Sequence, residues 1–194
     1  MNNNLKPIID RILSNFELKD EMPVQDFGFH HRKWSNERFR WAHFEHYTTD
    51  KVEIVHLVVM PYSNSEAPIY GFDVINISGN LTGMFLDLTP VNGKTFDIPE
   101  IGVPRPVPDW GGFFSPSFVC CKPNNVDEVM IAVDVLEQYL TWLPNMTMEN
   151  YTTQQQAYIE GQRANPQTRK MLSAHIGEDA SNEYFYNYLW PDVK

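Results

Sequence analysis

Positive charge is scarce in this chain. Fifteen lysines and arginines stand against 25 aspartates and glutamates, a net charge of -10 over 194 residues. That balance argues against nucleic acid as a partner, because a phosphate backbone selects a basic face. Long apolar runs are missing as well. No window of about eighteen consecutive apolar residues occurs, so no membrane span is expected. The amino terminus, MNNNLKPIID, lacks a charged start followed by an apolar stretch, so no secretory signal is expected. Cysteine is limited to Cys120 and Cys121, which are adjacent and cannot form an ordinary structural bridge. A cytoplasmic, reducing setting is the simplest expectation.

The familiar catalytic signatures are absent too. There is no GxGxxG fingerprint, no phosphate-binding GxxxxGK loop and no GxSxG elbow. Neither HExxH nor CxxC occurs, so no metal site is expected. His30 and His31 are neighbours, which in a strand point to opposite faces. Cys120 has apolar neighbours and no adjacent base, which suggests an inert thiol. An enzyme built on this chain is expected to bind no cofactor of its own.

What is present is a core. Hydrophobic residues make up 42% of the chain and aromatics 13%, enough for a single domain spanning residues 1–194. Leu5, Ile8, Ile9, Ile12 and Leu13 recur at helical spacing over residues 4–16, with Pro7 suited to a first turn. Residues 17–36 read as irregular. The period then changes to two. Phe39, Trp41, His43, Glu45 and Tyr47 share one face of a strand, and Arg38, Arg40, Ala42, Phe44 and His46 the other. Further strands are expected over 52–60, 69–77, 81–88 and 117–122, with a tight turn at Ser78-Gly79-Asn80. Short connections predict an antiparallel meander. The segment 89–116, rich in proline and glycine, is too long for a plain connector and is expected to border a site. Helices are expected over 126–143, capped by Asn124 or Asn125, then over 151–164, 168–175 and 181–189. Helices must cover both faces of so apolar a sheet. The fold class is therefore α/β, a three-layer α/β/α sandwich around a central antiparallel sheet.

Four ionisable residues fall inside these apolar strands: His43, Glu45, His56 and Asp73. The bland reading is that each is surface-exposed or satisfied by a neighbour. It is weak for His56, flanked on its face by Val52, Ile54, Val58 and Met60, and weaker still for Asp73, flanked by Gly71, Ile75 and Ile77, where desolvation is expected to push the carboxyl up toward neutrality. A charge there costs several kcal/mol unless paired or neutralised. A His56–Asp73 pair sharing a proton resolves the cost, and such pairs cluster at functional sites. The expected chemistry is proton delivery.

The stretch EIVHLVVMPYSNSEAPIYGFDVINISGNLTGMFLDLTPV resembles the signature region of the ferredoxin-dependent bilin reductases, nearest to the branch that makes phycocyanobilin. FRWAHFEHY upstream resembles that family's His-x-Glu strand. PDWGGFFSPSFVCCKP, NPQTRKML and YFYNYLW resemble its downstream blocks, in the right order over roughly residues 38–190. The resemblance implies reduction of biliverdin IXα with electrons from external reduced ferredoxin, one at a time, and no bound flavin, nicotinamide or metal. It implies that Asp73 protonates the bilin, that His56 shares its proton, and that Glu45 serves reduction of the D-ring vinyl group. His43 falls on a supporting histidine and Thr82 on a propionate contact. Lys122 and Arg169 are cationic candidates for the propionates by charge complementarity. Asn165, before Pro166, stands where the phycoerythrobilin branch carries a second aspartate, and Gln167 replaces a cation. Compact acidic relatives occur in phages, and some make phycoerythrobilin, so the product stays open between the two. A monomer is expected. Ferredoxin is acidic, so docking is expected on Arg32, Lys33, Arg38 and Arg40 or on the Arg163–Lys170 segment. Two rivals stand beside the enzyme: a non-catalytic bilin carrier, and a structural sandwich with a buried His56–Asp73 pair.

Overall fold

A computed structural model describes residues 5–16 and 20–193. The first helix, α1 (Lys6–Ser14), has its proline in the first turn and buries Ile8, Ile9 and Ile12; residue 4, where the helix was expected to begin, lies outside the described residues. Eight strands follow in one antiparallel sheet: β1 (Glu21–Met22), β2 (His30–Trp34), β3 (Trp41–Thr48), β4 (Val52–Met60), β5 (Ile69–Ile77), β6 (Asn80–Thr89), β7 (Val103–Pro104) and β8 (Val119–Lys122). Their order across the sheet is β1-β2-β3-β4-β5-β6-β8-β7. The chain then runs through α2 (Val126–Trp142), α3 (Thr152–Arg163), α4 (Pro166–Ile176) and α5 (Glu178–Tyr184), ending in a π-helical turn, Phe185–Leu189.

Two separate apolar layers show the sandwich. Ala42, Phe44, Val55, Leu57, Phe72, Val74, Met84 and Leu86 pack on one face against α1 and α2. Trp41, Val58, Met60 and Ile69 pack on the other against Tyr158, Ile159, Leu172, Tyr184, Phe185, Leu189 and Trp190 of the C-terminal helices. Strict alternation along β3, β4 and β5 sends successive side chains to these two layers. Phe39 departs from the expected face: it precedes β3 and joins the α1/α2 layer. Among the described residues, no helix is long and apolar enough to cross a membrane.

Three local differences from the sequence reading have physical causes. Residues 21–22 and 30–34 are strands rather than irregular chain, while 17–19 lie outside the described residues. HHRKW has no apolar alternation, and its strand character comes from backbone pairing with β3. The expected final helix is interrupted: the Trp190 amide bonds the Phe185 carbonyl at 2.9 Å, five residues back, which widens the last turn. At α2, Asn125 is the cap, its side chain accepting from the Glu128 amide at 3.0 Å, while Asn124 bonds the Glu128 carboxylate.

Candidate active site

The register of the sheet aligns its polar residues in a row. His31 pairs with Glu45, Glu45 with His56, His56 with Asp73, Asp73 with Phe85 and Phe85 with Cys120. Directly opposed residues in antiparallel strands share a face. Glu45, His56 and Asp73 therefore stand side by side on three central strands, on the face covered by the C-terminal helices. They open into a cavity of about 380 Å³. Ile54, Ile75 and Phe85 complete its floor, Trp110 and Phe114 close one side, and Gln162, Asn165, Gln167, Leu189 and Trp190 form the helical wall. This volume suits a small organic ligand, and the apolar lining with a few convergent polar groups is the usual form of such a site.

Backbone detail makes room for this wall. Gly71 lies on β5 two residues before Asp73, and a Cβ there would come within 3.0 Å of the Tyr158 hydroxyl. Its lack of a side chain lets α3 approach the sheet. Gln162 donates to the same hydroxyl at 2.9 Å and reaches the cavity from the next helical turn. Trp110 and Phe114 form an aromatic flap on their side of the cavity, and it is held from below. Asp87, on the cavity face of β6, accepts from the Ser115 amide at 3.0 Å, from the Ser115 hydroxyl, and from Thr89 at 2.8 Å. Burial pushes the Asp87 carboxyl up against these bonds. Phe114 stacks on Phe118, and Phe118 on Phe85, so the flap is anchored to the sheet through three parallel rings.

The polar row is electrostatically graded. His56 Nδ1 lies 2.9 Å from an Asp73 carboxylate oxygen. Burial alone would lower the His56 pKa, but the Asp73 charge, its hydrogen bond and the nearby Glu45 raise it overall. The Asp73 side chain is 38% exposed, against 12% for His56. The sequence predicts the heavier desolvation on Asp73; the structure places it on the histidine, because Asp73 faces the open cavity. Glu45 is buried, which pushes its carboxyl up; the charge of His56 and a hydrogen bond from Tyr184 offset this only in part. His43, fully buried one row away, is driven well below its usual value by burial. Its Nε2 meets the Tyr184 hydroxyl at 3.3 Å and His31 Nδ1 at 3.4 Å.

The His56–Asp73 pair carries a testable pH signature. His56 holds its proton more tightly folded than unfolded. Its stabilising contribution is complete below its ordinary value of 6.5 and is lost as pH rises through the raised value. Asp73→Asn removes the cause of the rise. Urea midpoints for parent and variant are expected to differ most below pH 6.5 and to converge as the pH rises. A gap constant with pH would show that Asp73 does not hold the His56 proton.

Of the other sequence candidates, Asn165 lines the cavity. Its carboxamide caps α4, accepting from the Gln167 amide at 2.9 Å and donating to Thr168 at 3.2 Å. Thr82, Lys122 and Arg169 do not line it. Thr82 sits in a β-bulge, its hydroxyl donating to the Ile75 carbonyl at 3.2 Å. Lys122 is exposed at the end of β8, beside Leu81 and Asn124. Arg169 is exposed, with its guanidinium on Asn182 and near the Phe185 and Tyr186 rings. The cations considered for docking are mostly engaged inside the fold. Arg32 pairs with Glu21, Lys33 is buried with its ammonium on the Tyr188 carbonyl, Arg38 donates to the Leu140 carbonyl, and Arg163 binds Trp190 and Asp192. Burial lowers the Lys33 pKa to about 8. Lys170 remains exposed on α4.

Comparison with known proteins gives a consistent picture. A family model described as ferredoxin-dependent bilin reductase matches residues 8–191. A phycocyanobilin:ferredoxin oxidoreductase from Prochlorococcus marinus is 26% identical over 189 residues, covering 86% of this chain and 76% of its own length. The enzyme of the same name from a Synechococcus species is 24% identical, covering 96% and 85%. Among solved structures, phytochromobilin synthase from tomato, in complex with biliverdin, superposes with a TM-score of 0.69 at 14% identity, over 96% of this chain and 82% of that one.

Proposed function

The chain belongs to the ferredoxin-dependent bilin reductases, and from that premise we propose that it reduces biliverdin IXα by four electrons to phycocyanobilin or phycoerythrobilin. The observation that carries this reading is the row of Glu45, His56 and Asp73 at the floor of an apolar cavity. An open-chain tetrapyrrole presents a polar inner edge of ring nitrogens and apolar ring faces, and the cavity offers acids below and aromatic side chains around. That a relative of the same fold is known with biliverdin bound adds support.

In this mechanism Asp73 and His56 share a proton and pass it to the bound bilin. A protonated bilin accepts an electron more readily, so ferredoxin then delivers one to form a bilin radical. Glu45, whose carboxyl burial pushes up, supplies a proton at a second point along the ligand. Four electrons and four protons complete the conversion. The tetrapyrrole carries the redox change, while the protein orients it and places protons.

The test is anaerobic absorbance with biliverdin IXα, ferredoxin, its reductase and NADPH, followed by chromatography of the product. Stepwise loss of the biliverdin band is expected, and retention time identifies the phycobilin. A bound biliverdin spectrum that never changes under reduction would replace the enzyme by a carrier.

A further inference from the structure

Asp87 is a buried carboxylate that takes no part in the proton transfers above. It is 2% exposed, and it meets both ends of one long segment. Thr89 donates to it at 2.8 Å where the segment leaves β6; the Ser115 amide, at 3.0 Å, and the Ser115 hydroxyl donate where the segment returns. Residues 90–114 lie between these points, and their regular structure is the two-residue β7. Ordering so long a segment costs conformational entropy, which a shared acceptor at its two ends helps to offset. The tie runs further into the segment. The Ser115 hydroxyl accepts from the Ser117 amide at 3.0 Å, and the Ser117 hydroxyl accepts from the Phe96 amide at 3.2 Å.

The clasped segment carries the aromatic side of the cavity. Trp110 and Phe114 line it, with ring centroids 5.8 Å apart. Ser115 follows Phe114 directly, so the bonds to Asp87 set where that ring points. On the other flank Phe113 packs so closely on α3 that a Cβ at Gly161 would lie 2.6 Å from its side chain. Two anchors, β6 and α3, therefore fix one flap. Phe85, where the flap meets the sheet, and Glu45 stand at opposite ends of the polar row, roughly 14 Å apart at ordinary strand spacing.

We propose that Asp87 is a positioning residue: acting through Ser115, it holds Trp110 and Phe114 against the conjugated face of the bound bilin, on the side away from Glu45. This role rests on the reading of the cavity as a bilin site. Asp87 itself transfers no proton.

Asp87→Leu and Ser115→Ala remove the clasp, whereas Asp87→Asn keeps an acceptor for the Ser115 amide. Hydrogen exchange of the bilin-free chain, read by mass spectrometry, is the first measurement. Protection over residues 110–117 is expected to fall in Asp87→Leu and Ser115→Ala and to stay near the parent in Asp87→Asn, with β4 and β5 unchanged. Biliverdin titration follows. Its Kd is expected to rise by about 10-fold in the leucine and alanine variants, the upper worth of an aromatic contact, with a shifted visible band. The double variant should lose no more than the larger single one. Unlike Glu45→Gln, these variants should accumulate no partly reduced bilin. Unchanged exchange in both single variants overturns the clasp; should Asp87→Leu fail to fold, Ser115→Ala decides. Lost protection with unchanged affinity and band overturns the role toward the ligand. A parent chain that binds no biliverdin would fail the functional reading, and with it that role, while the exchange result would still judge the clasp.

Discussion

Asp73→Asn is expected to slow biliverdin consumption by roughly 10²- to 10⁴-fold, the usual worth of a positioned proton donor, while biliverdin still binds. The geometry sets this expectation. Asp73 is the only carboxylate in the row with substantial exposure to the cavity, and it is bonded to His56 at 2.9 Å. Asparagine keeps the shape but cannot carry the proton, and it removes the charge that raises the His56 pKa. One substitution thus disables both partners of the pair. Anaerobic single-turnover absorbance separates the outcomes. Biliverdin that binds and persists supports the role. Near-normal turnover would remove Asp73 from the chemistry and shift attention to Glu45. Lost binding would make Asp73 a binding group rather than a donor.

Glu45→Gln is expected to split the reaction instead of stopping it. Glu45 lies beside His56 but away from Asp73, under the π-helical turn and Tyr184. Burial raises its carboxyl, so it is poised as an acid, and glutamine fills the same space without an exchangeable acidic proton. Protonation through Asp73 and His56 remains intact. One two-electron reduction should proceed while the one Glu45 serves slows by about 10²-fold or more, so that a two-electron-reduced bilin accumulates and can be resolved by chromatography. Equal slowing of both halves would mean that Glu45 serves the His56–Asp73 pair rather than a separate position on the ligand.

Much of this arrangement is legible in the sequence. The β4 and β5 boundaries follow from period-two alternation between turn residues, and the two-layer burial follows from the same alternation. His56 and Asp73 stood out because each interrupts an apolar face. What stayed hidden depends on tertiary placement. β2 escaped because His30 to Lys33 offer no hydrophobic period. The aromatic flap is expected from sequence only as a segment bordering a site; nothing in the spacing of Trp110, Phe114 and Phe118 says that Phe114 stacks on Phe118, Phe118 on Phe85, and Trp110 meets Phe85 edge-on. Lys122 and Arg169 are propionate candidates by charge alone, and charge carries no direction. The relative burial of His56 and Asp73 was reversed because sequence neighbours report one strand, whereas solvent access depends on the helices above.

The bulge at Thr82 has a consequence best put in the language of reading frames. The Ser78–Gly79 turn pairs Ile77 with Asn80 and Asn76 with Leu81. Continued without interruption, that frame would set Asp73 opposite Met84, turning Met84, Leu86 and Leu88 toward the cavity and Phe85 and Asp87 into the α1/α2 core. Thr82 is the inserted letter. It shifts the pairing by one, so that Ile75 meets Gly83 and Asp73 meets Phe85, and its hydroxyl fastens the shift to the Ile75 carbonyl. A residue that touches no part of the cavity thereby decides which half of β6 the cavity sees: the half that stacks the flap and holds Ser115, rather than the half that belongs in the core.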